Sequence, residues 1–102
     1  MDRLARLKAL VEANSADRFA RYGLAMELGN HGRLEESLAE FRALLAFDPD
    51  YLASYFQAGQ TLEKLNRVEE AREVYEKGIE VAARKGDQKT RGELQWALDL
   101  LS

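Results

Sequence analysis

Arg33-Leu34-Glu35-Glu36-Ser37-x3-Phe41 returns 34 residues later as Arg67-Val68-Glu69-Glu70-Ala71-x3-Tyr75. The same shift carries Tyr22 onto Phe56, Ala25 onto Gly59, Leu28 onto Leu62 and Leu45 onto Ile79. A fixed period of this length implies stacked supersecondary units. Such units make binding surfaces more readily than reaction centres. The repeat therefore speaks to fold and to kind of work, and it does not name a partner.

Working outward, apolar residues recur at spacings of three and four, which is the helical period. β-branched residues are few, and Pro49 is the one proline. The pattern predicts an all-α chain of about six helices. The first covers roughly residues 2–13, with Leu4, Leu7, Leu10 and Val11 on one stripe. Asn14-Ser15-Ala16-Asp17 stops it and offers caps to the next helix. The second runs to Asn30, where Gly32 in the Gly29-Asn30-His31-Gly32 turn suits the left-handed conformation. The third spans Leu34 to Phe47. Asp48-Pro49-Asp50 breaks it, because proline disfavours helical geometry at the residue before it and suits a new helix start. The fourth is expected over Tyr51–Lys64, the fifth over Val68–Lys85 and the sixth over Gln88–Leu101. Loops of two to four residues force antiparallel neighbours.

Composition sets the outer limits. A chain of 102 residues with 46% hydrophobic content suits one domain with a modest core. Eighteen acids against fifteen bases give a net charge of −3 without a basic block, which argues against nucleic-acid and anionic-membrane partners. There is no cysteine, so disulfides and thiolate metal sites are excluded. No signal-like apolar run opens the chain, since Arg3, Arg6, Lys8 and Glu12 interrupt it. No segment approaches the ~20 apolar residues of a membrane span. The expectation is a soluble, cytoplasmic protein. The Met1 start and a capping last helix suggest a complete one.

The spacing resembles the tetratricopeptide repeat family. The family pattern is an aromatic, a small pair and an aromatic on the first helix, then Ala-x3-Phe on the second, then Pro. The second unit supplies Tyr55-x2-Ala58-Gly59-x2-Leu62 and Ala71-x3-Tyr75. The first supplies Arg21-x2-Leu24-Ala25-x2-Leu28, Ser37-x3-Phe41 and Pro49. Physically, Ala25, Gly59, Ser37 and Ala71 let helices approach, and Phe41 and Tyr75 are knobs that fill the space between repeats. There are departures. Arg21 replaces an aromatic, and Leu28 and Leu62 replace later ones. Gly78 stands where the first unit has Leu44. Ala83 replaces the closing proline, so the fifth helix is expected to run on to Lys85. The resemblance implies a right-handed α-solenoid of antiparallel helix pairs in a single domain over 1–102. A flanking helix (1–16) precedes repeat one (17–50) and repeat two (51–84), and a capping helix (85–102) follows. The first helix looks like the second half of a missing repeat, and the last like the first half of a third.

In this family the first helices line a concave surface that binds peptides or extended segments. By position that puts Phe19, Tyr22, Met26 and Asn30 on the groove from repeat one. Repeat two adds Ala53, Phe56, Gln60 and Lys64. Exposed aromatic patches point to a partner. The alternative is that Phe19 and Phe56 help to seal adjacent helices. On the sixth helix Leu94, Ala97, Leu98 and Leu101 share one face, and Trp96 and Leu100 lie nearly opposite. If the fifth helix carries two extra residues, Leu94, Leu98 and Leu101 become the packing face and Trp96 points toward the groove. The competing assignment swaps the faces and buries Trp96. Some members clamp a C-terminal carboxylate with Lys, Asn and Arg. Tyr22, Met26, Ala53 and Gln57 hold the corresponding positions here, so the clamp is absent.

Reaction chemistry has no support in the residues. His31 is the lone histidine and sits in a turn. No second histidine or cysteine joins it for zinc. Ser15, Ser37, Ser54 and Ser102 lack a histidine partner at credible spacing. Glu35-Glu36 and Glu69-Glu70 open equivalent helices, where carboxylates suit the positive dipole end. No phosphate loop is present. Arg3, Arg6, Lys8, Arg18 and Arg21 read as a solvated face. No catalytic, metal or cofactor residue is expected, and no enzyme. The leading expectation is a protein–protein interaction or scaffold module that binds a peptide or helix. The alternatives are a homodimer completed through Trp96 and Leu100, or an accessory subunit of a larger complex.

Overall fold

In the computed structural model, which describes residues 2–101, the repeated stretch is helical from Leu34 and from Val68 onward, with Arg33 and Arg67 as the caps. Met1, the natural-looking start, and Ser102 lie outside the described residues. Six helices and no strand occur among them: α1 (Arg3–Ala13), α2 (Arg18–Asn30), α3 (Leu34–Phe47), α4 (Leu52–Lys64), α5 (Val68–Lys85) and α6 (Gln88–Asp99). They form two compact units divided between Pro49 and Asp50. No helix is long and apolar enough to cross a membrane.

Local chemistry sets the helix ends. The Asp2, Asp17 and Asp87 side chains each accept from the backbone N–H three residues on, at 2.7, 3.0 and 3.0 Å. Each satisfies one of the four orphan donors of a helix start. Thr90 adds a second bond, its Oγ1 donating to Asp87 at 2.8 Å. These hydrogen bonds hold the Asp87 carboxyl below its usual range. Tyr51 caps α4 instead of opening it, and α6 ends at Asp99, two residues before the expected Leu101. α5 runs through Ala83 to Lys85, because alanine there leaves the helix intact where Pro49 ends α3.

Three helix ends share one device. Arg33, Arg67 and Asp87 donate their N–H to Leu28, Leu62 and Ala82 carbonyls at 2.9, 2.8 and 2.9 Å. The residues before them, Gly32, Asn66 and Gly86, have φ of 75°, 60° and 73°. This is the Schellman arrangement, which needs a left-handed residue. Glycine supplies it twice. Asn66 does so at a position where the first unit uses Gly32.

In the first unit α2 packs between α1 and α3. Leu4 and Leu7 of α1 join Val11, Ala20, Leu24 and Leu28 in one cluster, and Leu38, Phe41 and Leu44 of α3 are buried. In the second unit α5 packs against both α4 and α6. Leu52, Tyr55, Leu62, Tyr75, Val81 and Leu94 are its large buried side chains.

Ser54 is fully buried and its Oγ has no hydrogen-bond partner among the described residues. An unmade bond costs the desolvation of the group. Ser54→Ala is therefore expected to leave stability unchanged or raise it by up to ~1 kcal/mol in urea denaturation. A loss of more than ~1 kcal/mol would contradict an unpartnered hydroxyl.

Candidate partner-binding faces

The caps align the first helices of the repeats. Counting from Arg18, Leu52 and Gln88, the ninth residues are Met26, Gln60 and Trp96. The fifth are Tyr22, Phe56 and Gly92, and the second are Phe19, Ala53 and Lys89. Trp96 thus stands in register with two expected groove residues. It is 68% exposed, as is Leu100, whereas Leu94 and Ala97 are buried and Leu98 and Leu101 half-buried. The assignment that buries Trp96 does not hold.

The expected groove residues fall into two groups. Phe19 is 71% exposed, with the Arg18 guanidinium 5.6 Å from its ring centre. Asn30 and Lys64 are exposed, and Met26 is partly so. Tyr22 and Phe56 are half-buried, as Met26 is, and differ from it in packing against aromatic rings. Tyr22 meets the Phe41 ring edge-on at 5.7 Å, and Phe56 lies tilted against Tyr75 at 6.4 Å. Both lean on the knob of the next helix, and each keeps part of its ring in solvent. The sealing role raised for Phe56 therefore applies, and Tyr22 shares it. Gln60 is engaged as well. Its Nε2 donates to the Tyr75 hydroxyl at 2.6 Å, and that hydroxyl donates to Glu63 at 2.5 Å. Burial, reinforced by the hydrogen bond to Glu63, pushes the Tyr75 phenol above its ordinary value and keeps it neutral.

The knobs fit because of what faces them. A Cβ on Gly59 would lie 2.7 Å from Tyr75 Cδ1 and closer still to Cε1, so only glycine admits the ring. A Cβ on Gly78 would lie 2.7 Å from Tyr55 Cβ and 3.0 Å from Leu94 Cδ1. One repeat earlier the same two positions hold Arg21 and Leu44, and Leu44 is fully buried. The aromatic goes with the glycine, and the leucine with the arginine. This exchange of bulk links residues 23 apart on two helices, so each departure looked unrelated in sequence.

The N-terminal bases are more than a solvated face. Arg21 reaches Glu40 at 2.8 Å, donates to the Ser15 carbonyl at 2.8 Å and lies 5.8 Å from the Phe47 ring centre. Its side chain is only 14% exposed. Arg18 pairs with Asp48 at 2.9 Å, and Arg3 with Glu27 at 3.0 Å. The duplicated acids are also paired: Arg33 binds Glu36 through two bonds, and Arg67 binds Glu70 the same way. The Arg33 hydrogen bond holds the Glu36 carboxyl below its usual range. His31 is exposed, 3.2 Å from Glu27. A cleft of about 270 Å³ lies in the first unit over Val11, Leu24 and Leu28. Of its lining carboxylates Glu12, Glu36 and Glu40, the last two are those bound to Arg33 and Arg21. Among the described residues no three metal-ligating side chains cluster.

The family model for the tetratricopeptide repeat matches residues 52–85. A tetratricopeptide repeat domain protein from Salinibacter ruber, known in solution and as a crystal structure, is 43% identical over 80% of this chain. The match covers 83% and 92% of those two chains, with TM-scores of 0.77 and 0.74. A protein from Bordetella parapertussis is 30% identical over 99% of this chain and 88% of its own, with a TM-score of 0.84. An uncharacterised protein from Methanocaldococcus jannaschii is 35% identical over 60 residues, 59% of this chain and 70% of that protein. The chain belongs to the tetratricopeptide repeat family, an all-α helical-repeat class whose members act in protein–protein interaction.

Proposed function

We propose that this protein is a cytoplasmic interaction module without an activity of its own, and that its first helices each offer an exposed face to a peptide or helix of another protein. The reading treats residues 1–102 as one domain, with repeats at 17–50 and 51–84. The observation that carries it is Trp96. A large apolar side chain, two-thirds exposed, sits in register with Met26 and Gln60 where a solvated cap calls for polar residues. Phe19, Met26, Asn30 and Lys64 extend the same positions, and Tyr22 and Phe56 contribute the open edges of their rings.

The packing of Tyr22 and Phe56 decides the choice of variants. Truncating either removes support from a buried knob, so a Tyr22→Ala/Phe56→Ala protein mixes lost fold with lost binding. Met26→Ala/Trp96→Ala avoids that. Peptides selected from a random 16-residue display library on the wild-type protein are expected to bind the double variant at least tenfold more weakly, as loss of a central aromatic anchor implies. Enriched peptides that bind both proteins equally would overturn the reading.

Self-association through Trp96 and Leu100 is the second reading, favoured by their equal exposure one turn apart. Light scattering at tens of micromolar separates the two: a monomer sets the dimer aside.

A further inference from the structure

The first turn of α2 carries Arg18 and Arg21 and no acid. Cations there oppose the positive end of the helix dipole. The following helix answers them: Asp48 binds Arg18 at 2.9 Å, and Glu40 binds Arg21 at 2.8 Å. On the same flank Tyr22 meets Phe41, and the Ala25 carbonyl accepts from Ser37 Oγ at 2.7 Å.

α6 repeats this start. Its first turn also lacks acids, and it carries Lys89 and Arg91. From the caps Asp17 and Asp87, Arg91 stands where Arg21 does, Gly92 where Tyr22 does, and Gln95 where Ala25 does. Among the described residues no other helix answers this flank; Gln95 Nε2 donates to Asp99 Oδ1 at 2.9 Å within α6. Gln88, Arg91, Gly92 and Gln95 are all exposed, and they line a shallow concavity of about 250 Å³. Arg91 has no ion pair among the described residues. A Cβ on Gly92 would meet nothing within 4 Å, so there is open space where Tyr22 touches Phe41.

We infer that this flank of α6 docks a single acidic-faced helix of another protein, which completes a third helix pair. The α2–α3 pairing states what that helix carries: a carboxylate opposite Arg91 and, next to it, an aromatic that enters the space over Gly92. A second copy of this chain does not fit. Its α1 occupies the second-helix place, and Arg6 stands 34 residues before Glu40. Arg6 would face Arg91, and like charges repel. The flank lies about a quarter-turn around α6 from Trp96 and Leu100. Gly92 lies one turn before Trp96, so the flank borders the peptide face proposed above, and Arg91 and Gln88 set it apart.

The probe is a synthetic peptide of residues 33–48, this chain's own answering helix, added to the full-length protein labelled for NMR. Shifts are expected to concentrate at Gln88, Arg91, Gly92 and Gln95. Glu40→Arg in the peptide should weaken binding about threefold, as loss of one exposed charge pair implies. Pairing that peptide with Arg91→Glu protein should restore it. Arg91 is exposed, and unchanged circular dichroism checks the variant's fold. Shifts confined to α2 or to the Trp96 face would overturn the inference. So would no binding at millimolar peptide, or charge reversals without effect. Met26→Ala should bind the probe as wild type does, which separates this flank from the proposed peptide face.

Discussion

Phe41→Ala is expected to lower the unfolding free energy by about 3–5 kcal/mol. Phe41 is 1% exposed, stands at the knob of the repeated stretch and receives the edge of Tyr22. Alanine removes the ring's transfer free energy and leaves a cavity that fixed helices close only in part. The paired ring contact with Tyr22 goes as well, and such pairs contribute about 0.5–1.5 kcal/mol beyond their buried area. A domain of this size holds ~5–15 kcal/mol in total, so the variant stands at the edge of folding. Urea denaturation measures it, with Phe19→Ala as control. Phe19 is 71% exposed, and its truncation should stay within about 0.5 kcal/mol of wild type. A Phe41→Ala loss below ~1.5 kcal/mol would mean that the knob does not hold the hairpin together.

Gly78→Leu is the second large effect, about 2–3 kcal/mol, the upper end for overpacking. Even a single Cβ there would sit 2.7 Å from Tyr55 and 3.0 Å from Leu94, both buried. The first repeat shows the compensating change, since Leu44 is buried where Arg21 replaces the aromatic. Tyr55→Arg combined with Gly78→Leu should therefore be less destabilised than the two single changes added together, by at least ~1 kcal/mol of coupling. Strict additivity would separate two substitutions that the structure joins. Melting curves for all four proteins decide it.

The helix order was legible in the sequence because each boundary has local chemistry behind it. Pro49, Gly32, Gly86 and the aspartate caps act within a few residues. The run of α5 to Lys85 followed from one absent proline. Asn66 shows the limit. Asparagine tolerates the left-handed conformation without requiring it, so only the alignment with Gly32 exposes its role. The positions of the groove residues came from the repeat, but their contacts did not. Gln60 reads as a free amide until Tyr75, 15 residues away, brings a hydroxyl to it. Arg21 reads as a solvated cation until Glu40 and Phe47 arrive from the next helix. Contacts of this kind are set by long-range packing, which a pattern of apolar spacing does not carry. For Trp96, helical period fixed only that it opposes Leu94 and Ala97; which of the two faces packs came from the structure.

The account rests on a division of the aromatic side chains into sealed knobs and accessible faces. NMR relaxation with an inert, soluble paramagnetic agent reads that division ring by ring in the free protein. Strong broadening is predicted for Trp96 and Phe19, intermediate broadening for Tyr22 and Phe56, and none for Phe41 and Tyr75. A Trp96 indole as protected as the Tyr75 ring, or Phe41 as open as Phe19, would contradict it.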